Sequence, residues 1–548
     1  MIASAIYSSD LKRAGMAKVL IIGGGGAGLV SALSAHEAGA EVIVVSKTLP
    51  TRSQTSMAQG GMNAVLGGND SIENHIADTL RSSAGLGDEK QITFMCENAP
   101  DAVRWCNSMG LPFSRDESGE IARRRLGGAS APRACYAQDY TGLKLLHTLY
   151  DQCLKAKITF QNERFLLNLI VDEESNRVLG ATFLDIATGE VEEIRADAVV
   201  LATGGYGGIY GKHSTNSVQA TGDGLAAAIR AGAKLADLEF IQFHPTALKN
   251  SSILISESAR GAGGYLLNAN KERFTDELAP RDVVARAIHE EMTKSGAVYL
   301  DIRHLGEEFI NHELPQERKL AQIYEGIDPV HELIPIKPSA HYSMGGIEVD
   351  AQCMSSVSGL FAVGECANHK THGANRLGGN SLLELVVFGR HCGKNAAEVG
   401  ARNPVPALDN SQLAKDINFV RGVMYFTNQI DFYQKQEMLA NIFYNNVGLV
   451  REDMGLKAVL GAIRQMQKEL PFMGPKDKSK VCNTNLVEFI EFGNKVELAE
   501  IIVVCAISRS ESRGAHYRGD IPARNDVMFG AHTITWREGG VLCADFME

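Results

Sequence analysis

The order of apolar and polar positions divides the chain into an opening βαβ unit, two later returns to the same sheet, and a helix-rich C-terminal part. Lys18 to Ile22 predicts a short buried strand, Gly23 to Gly28 a turn, Ala27 to Ala38 a helix, and Glu41 to Val45 a second buried strand. Two later segments, Ala198-Val-Val-Leu-Ala-Thr-Gly-Gly205 and Gly359-Leu-Phe-Ala-Val-Gly-Glu365, are apolar runs that stop at glycine, and both read as further strands of that sheet. Between them, from about Leu238 to Gly345, a Gly-rich and charged stretch predicts an inserted domain. From about Leu408 to Ser510, Leu, Met, Ile and Val recur at three- and four-residue spacing with few Gly or Pro, the period of amphipathic helices. The expected organisation is an α/β domain in two parts (1–237 and 346–406), an inserted α+β domain (238–345), a helical domain (407–515) and an irregular tail (516–548).

Composition agrees with several domains. At 548 residues the chain exceeds the roughly 250 to 300 residues at which one core stops growing. A hydrophobic share of 45%, a charged share of 22% and 55 glycines fit a globular α/β protein with many tight turns. The net charge of -11 gives no basic footprint for nucleic acid and no polybasic patch for anionic lipid. The ten cysteines, among them Cys96, Cys106, Cys135, Cys366 and Cys505, include no C-x-x-C pair. This argues against a built-in iron–sulfur cluster or structural zinc, and the thiols read as small buried hydrophobes of a reducing cytoplasm. No apolar run reaches the ~18 residues that span a bilayer, and the first fifteen residues lack the apolar region and cleavage site of a signal peptide; Lys12-Arg13 is not a twin-arginine signal. A cytoplasmic chain is expected, able to lie on the inner face of a membrane through partner subunits.

Gly23-Gly24-Gly25-Gly26-Ala27-Gly28 satisfies G-x-G-x-x-G directly between a predicted strand and helix. In that setting the glycines allow a tight turn and close backbone approach to a pyrophosphate, whose charge the helix N-terminus favours, so Gly23, Gly25, Gly26, Ala27 and Gly28 are cofactor-binding candidates. The fingerprint also expects an acidic residue about 20 residues on, yet the second strand ends in Ser46-Lys47, which take that place as candidates.

Thr51-Arg-Ser-Gln-Thr-Ser-Met-Ala-Gln-Gly-Gly61, Thr221-Gly-Asp-Gly224, Phe243-His-Pro-Thr246, Arg281-Asp282, His341-Tyr-Ser-Met-Gly-Gly346, His372-Gly-Ala-Asn-Arg-Leu-Gly-Gly-Asn-Ser381 and Ser512-Arg-Gly-Ala-His-Tyr-Arg-Gly-Asp520 follow one another along nearly the whole chain. Together they resemble the succinate dehydrogenase and fumarate reductase flavoprotein family. The resemblance implies a Rossmann-like FAD-binding domain, an inserted capping domain and a C-terminal helical domain. It implies FAD contacts from Arg52, Ser53, Gln54, Thr55, Gln59, Gly60 and Gly61, from Ala202, Thr203 and Gly204, and from Asp223, Glu365, Arg376, Ser381 and Leu382. Many members link FAD covalently to a histidine in T-R-S-H-T, and here Gln54 stands at that place. Dissociable FAD is therefore expected, with a tilt towards fumarate reduction or towards the related L-aspartate oxidases.

The same resemblance places His244, Ser256, Glu257, Arg260, Arg281, His341 and Arg376 in a dicarboxylate site. A planar guanidinium such as Arg376 binds one carboxylate bidentately, and His244, His341 and Ser256 offer donors to the rest of the substrate. By resemblance, hydride passes between FAD N5 and one substrate carbon, Arg281 donates the proton, and Glu257 with Arg260 resupplies it. Since the chain carries no cluster motif, a separate iron–sulfur subunit is expected, and a membrane-anchor or a quinone- or thiol-reacting subunit stays open. L-Aspartate oxidase is the alternative, although Arg376-Leu-Gly-Gly-Asn-Ser381 and Arg125-Leu-Gly-Gly128 follow the dehydrogenase form.

Overall fold

The computed structural model describes residues 16–405 and 411–547. The segment read as lacking a signal peptide and the expected boundary at 406/407 lie outside them.

Strand β1 (Lys18–Ile22) passes through the glycine turn into α1 (Gly26–Glu37), and β2 (Glu41–Ser46) follows. The helix begins one residue before the expected start, because the Gly25 backbone is still extended while Gly26 is helical. Val19, Leu20 and Ile21 are fully buried, as a strand covered on both faces must be, which explains its unbroken apolar run. Strands β3 (Thr159–Asn162) and β4 (Ala198–Leu201) extend the sheet. The chain then leaves it for β5 (Ile241–Leu248), α2 (Glu257–Gly261), β6 (Tyr265–Asn268), α3 (Arg281–Ser295), β7 (Val298–Asp301), α4 (Pro315–Tyr324) and β8 (Ile334–Ser343). These strands form an antiparallel sheet in the order β5-β8-β7-β6. It has its own core of Leu248, Ile255, Leu266, Val284, Ile288 and Ile336. The chain returns as β9 (Leu360–Ala362), giving a five-stranded parallel sheet in the order β9-β4-β1-β2-β3. Both glycine-stopped runs thus lie side by side in it.

Helix α5 (Asn380–Arg402) packs on α1. Four helices follow: α6 (Gln412–Tyr425), α7 (Phe432–Asn446), α8 (Asp453–Glu469) and α9 (Thr484–Ser508). In α8 the buried residues are Leu456, Val459, Ile463 and Met466, spaced by three and four, so the periodic signal is the buried stripe itself.

The tail expected to be irregular is not. Strands β10 (His532–Glu538) and β11 (Val541–Met547) form a hairpin, and β10 pairs antiparallel with Leu235–Ala236. The connection is Gly539-Gly540, both at positive φ (56° and 82°), the turn chemistry that a two-residue hairpin needs. A second departure concerns the thiols: Cys482 is exposed and Cys543 half-buried, whereas the other eight are buried as expected. Among the described residues, no helix is long and apolar enough to cross a membrane.

Candidate active site

A cavity of about 220 Å³ opens along the C-terminal ends of the parallel strands, where ligands of doubly wound sheets bind. Its wall includes Gly23 to Ala27, Val45 to Thr48, Ser53 to Thr55, Ala202 to Gly205, Asp223, Glu365, Ser381 and Leu382. At Gly23 (φ 117°) an added Cβ would stand 2.2 Å from the Ala202 carbonyl oxygen, and at Gly28 it would stand 2.0 Å from the Gly23 oxygen. Glycine at these positions lets β1, β4 and α1 converge and brings bare backbone to the cavity. The Gly26 N–H donates to Thr55 Oγ1 at 3.0 Å, which ties the 51–61 loop to the start of α1.

The donor set fits FAD. Ser53 Oγ and Thr203 Oγ1 both line the cavity, and both are buried hydroxyls without a hydrogen-bond partner among the described residues. Lys47, at the place of the missing acidic residue, donates to Asp223 (2.8 Å), Glu491 (2.7 Å) and Thr221 (2.8 Å). Burial works against the ionised Asp223, but Lys47 beside it holds the carboxyl below its ordinary range. Glu365 accepts from the Ser343 N–H at 3.0 Å, and burial pushes its carboxyl up to about 7.

Several expected cofactor residues stand elsewhere. Arg52 is exposed and does not line the cavity. The Gln59 side chain turns to Glu317, donating from Nε2 at 3.1 Å, and the Gly60 carbonyl accepts from Arg124. Gly61 packs on Cys135, where a Cβ would lie 2.8 Å from the carbonyl oxygen, and Gly28 supports the turn from beneath. These residues shape the loop and the helix packing without lining the cavity. In turn, Arg164, Phe165, Leu166, Asn216, Gln219 and Leu385 line the cavity unannounced by any motif, because they come from a strand, a loop and a helix that share no spacing signal.

His341 and Tyr342 join this cavity to a buried polar cluster. Arg281, the first residue of α3, sets Nε (2.9 Å) and Nη2 (2.5 Å) on Glu257 Oε2, a fork on one carboxylate oxygen. Glu257 Oε1 accepts from the Gly127 N–H at 2.9 Å and faces Arg260 Nη2 at 3.5 Å. Burial opposes the charge on Glu257, yet Arg281 and Arg260 keep its carboxyl below the ordinary range. Arg376 lies with its guanidinium 4.3 Å from the centre of the Tyr342 ring, donates from Nη1 to Ser381 Oγ (3.2 Å) and, because of burial and the nearby Arg281, is pushed down to about 10. The His244 and His341 rings stand 4.9 Å apart edge to face, and burial together with Arg281 holds both imidazoles well below their usual range. His244 Nδ1 accepts from the Thr246 N–H at 3.2 Å, which leaves the hydrogen of the neutral ring on Nε2; His341 Nδ1 meets Thr215 Oγ1 at 2.7 Å. Ser256 caps α2, accepting from Ser258 N–H at 3.1 Å.

All seven residues assigned to the substrate site are therefore buried or nearly so, and they gather from β5, α2, α3, β8 and the loop before α5. One member escaped the sequence reading. Gln242 Oε1 accepts from Arg281 Nη1 (3.1 Å) and Arg376 Nη2 (3.0 Å). Its Gln-x-His spacing to His244, which sets both side chains on one face of β5, was the available signal.

This geometry, a dinucleotide cradle opening onto a buried cluster of arginines and neutral histidines, defines a flavin-dependent oxidoreductase, and residues 18–382 match the FAD binding domain model. Residues 436–542 match the model of the fumarate reductase flavoprotein C-terminus. The chain is 40% identical to the succinate dehydrogenase flavoprotein subunit of Rickettsia conorii, covering 96% of this chain and 94% of that protein. It is 37% identical to the fumarate reductase flavoprotein subunit of Escherichia coli, covering 95% and 92%. A quinol-fumarate reductase solved with menaquinol molecules superposes with a TM-score of 0.93 at 35% identity, over 98% of each chain. The chain belongs to the succinate dehydrogenase and fumarate reductase flavoprotein family. These relatives do not favour the L-aspartate oxidase alternative.

Proposed function

We propose that this chain is the catalytic flavoprotein subunit that interconverts fumarate and succinate, favouring fumarate reduction. Its FAD would be dissociable, and its electrons would be exchanged through a separate iron–sulfur subunit. The observation that carries the reading is the charge of the cluster. Three buried guanidiniums, Arg260, Arg281 and Arg376, meet one carboxylate, Glu257, while His244 and His341 are neutral. Two uncompensated positive charges in a buried site are costly, and a dicarboxylate dianion supplies the two negative charges that offset them.

Arg376 presents a guanidinium with no carboxylate in hydrogen-bond contact among the described residues, and its Nε is buried without a partner. It would bind one substrate carboxylate bidentately. His244 would donate from Nε2 and polarise the substrate, and Ser256 would turn its hydroxyl hydrogen towards it. Bound FAD supplies two-electron hydride chemistry at the cavity wall. Arg281 would hold the proton that the substrate carbon receives. Its pairing with Glu257, and through Glu257 with Arg260, gives a buried path for replacing that proton.

Gln54 lines the cavity, and its Oε1 accepts from the Ser217 N–H at 2.6 Å. A carboxamide there has no ring nitrogen to attack the flavin, which supports dissociable FAD. Acid precipitation tests this directly: all the flavin should appear in the supernatant, and yellow colour in the pellet would refute it. An assay with reduced viologen tests the reaction. Fumarate-dependent oxidation is expected; its absence, together with no reduction of dye by succinate, would sink the reading. The partner is tested by copurification from the native source, where a cysteine-rich iron–sulfur subunit is expected. Among the described residues no helix suits a bilayer, so a seat on the inner membrane face would come from partner subunits.

A further inference from the structure

Gln242 is fully buried on β5, where its Cα partner across the sheet is Tyr342 of β8. Every hydrogen-bonding position of its amide is used. Oε1 accepts from both Arg281 (3.1 Å) and Arg376 (3.0 Å), and Nε2 donates to Asn375 Oδ1 (2.9 Å) and to the Arg376 carbonyl (2.8 Å). The opposite amide orientation would set N–H groups against two guanidiniums, so the network fixes which way the side chain faces. Asn375 Nδ2 in turn donates to Asp282 Oδ1 at 3.1 Å. The contacts close a ring, Arg281 to Gln242 to Asn375 to Asp282, whose two ends are neighbours at the start of α3.

We infer that Gln242 is a positioning residue, and that its single amide oxygen sets the spacing and tilt of the Arg281 and Arg376 guanidiniums without cancelling their charge. The inference rests on the dicarboxylate reading of the site. Two like charges this close repel each other. An apolar side chain would let them splay, and a carboxylate would hold them while removing half of the net positive charge that the substrate needs. The charged and titratable groups around the amide include Arg281 and Asp282 of α3, Arg376 of the loop before α5, Glu257 and Arg260 of α2, His244 of β5, His341 with Tyr342 of β8, and Glu365, which acts on Arg376 from beyond β9. None of them supplies a neutral acceptor to both guanidiniums.

The test uses the flavin-loaded protein as wild type, Gln242→Met and Gln242→Glu, with thermal melts and flavin content as folding controls. Fumarate kinetics are measured with reduced viologen, and dicarboxylate affinity is measured from the flavin absorbance change on adding malonate. Gln242→Met keeps the charge and loses the acceptor, so kcat is expected to fall ~100-fold with the malonate Kd within ~3-fold of wild type. Gln242→Glu keeps the shape and the acceptor, so its malonate Kd is expected to rise by at least ~10-fold. A Met variant with wild-type kcat, or a Glu variant with wild-type malonate affinity, overturns the inference. If the Met variant does not fold, the near-isosteric Glu variant decides alone. An inactive wild type would reject the reaction proposed above before any variant is compared, and the malonate series would still report on Gln242.

Discussion

The proton-donor role proposed for Arg281 asks a side chain with a fixed charge to take part in proton transfer. Both Nε and Nη2 rest on Glu257, which itself faces Arg260, so a proton leaving the first guanidinium can be replaced without opening the site to water. Lysine has neither the fork nor the planar delocalisation. Arg281→Lys is therefore expected to lower kcat with fumarate at least ~100-fold and to alter its pH dependence; near-wild-type turnover with the same pH profile would contradict the assignment. The buried histidines set a different pH response. His75, with Nε2 on Asn380 Oδ1 at 3.1 Å, is held down to about 4, chiefly by burial. Its imidazole is neutral in the fold and takes up a proton in the unfolded chain below about 6.5, so its contribution to stability is complete above that value and is lost as the pH falls towards 4. His75→Gln keeps an amide donor near Asn380 and removes the titration. Between pH 6.5 and 4 its unfolding free energy should fall less steeply with acidification than that of wild type, by about 1.4 kcal/mol per pH unit. Urea titrations at three pH values across that window check it.

Helices in this chain use glycine in two opposite ways, and only the surroundings tell them apart. Gly28 of α1 faces the Gly23 carbonyl, where a Cβ would fall at 2.0 Å, so Gly28→Ala must push α1 off β1. The expected result is a protein purified without flavin colour and destabilised by about 1–3 kcal/mol, read from absorbance and from a thermal melt. Gly461, inside α8, has nothing within 4 Å of its Cβ position, and Gly461→Ala should raise stability by about 0.5–1 kcal/mol. The Gly28 case was legible in the sequence because its spacing sits between a strand and a helix. The Gly461 case was not, since an open helix face looks like any other polar stripe. The same distinction governs the elements as a whole. β1, α1, β2, β4, β9 and the stripe of α8 announce themselves by period and by where the apolar run stops. The β10–β11 hairpin was missed even though His532-Thr-Ile-Thr-Trp alternates and Gly539-Gly540 marks the turn, because charged residues around it imitate a solvated tail.

In the whole molecule, distant segments are locked together by buried charge. Arg509, at the end of α9, donates to Glu239 (2.6 Å), just before β5, and to Glu511 (3.0 Å), which also accepts from Arg513 (2.7 Å); all four side chains are fully buried. Arg286, on the same helix as Arg281, donates to the Gly514 carbonyl at 2.9 Å, so the network reaches α3. Arg509→Met would strand the buried Glu239, while Glu511 keeps Arg513, and should cost about 3–5 kcal/mol in a denaturant titration. Adding Glu239→Gln should recover part of that loss, and strictly additive effects would show that the pair is not coupled. The ordered family motifs made the assembly of His244, Arg281, His341 and Arg376 legible. Residues acting through shape alone, such as Phe165 on the cavity wall, or whose side chain turns elsewhere, such as Gln59, needed coordinates. One last consequence concerns the chain in the act of being made. Leu235–Ala236 finds its neighbour β10 only when residues 532 to 538 have been synthesised, so on the ribosome one edge of that strand stays bare while roughly the next 300 residues are made. A cell expressing this protein must shelter that edge, and stalled or C-terminally clipped chains should partition to aggregates or proteases even though every residue lining the cavity has already been made.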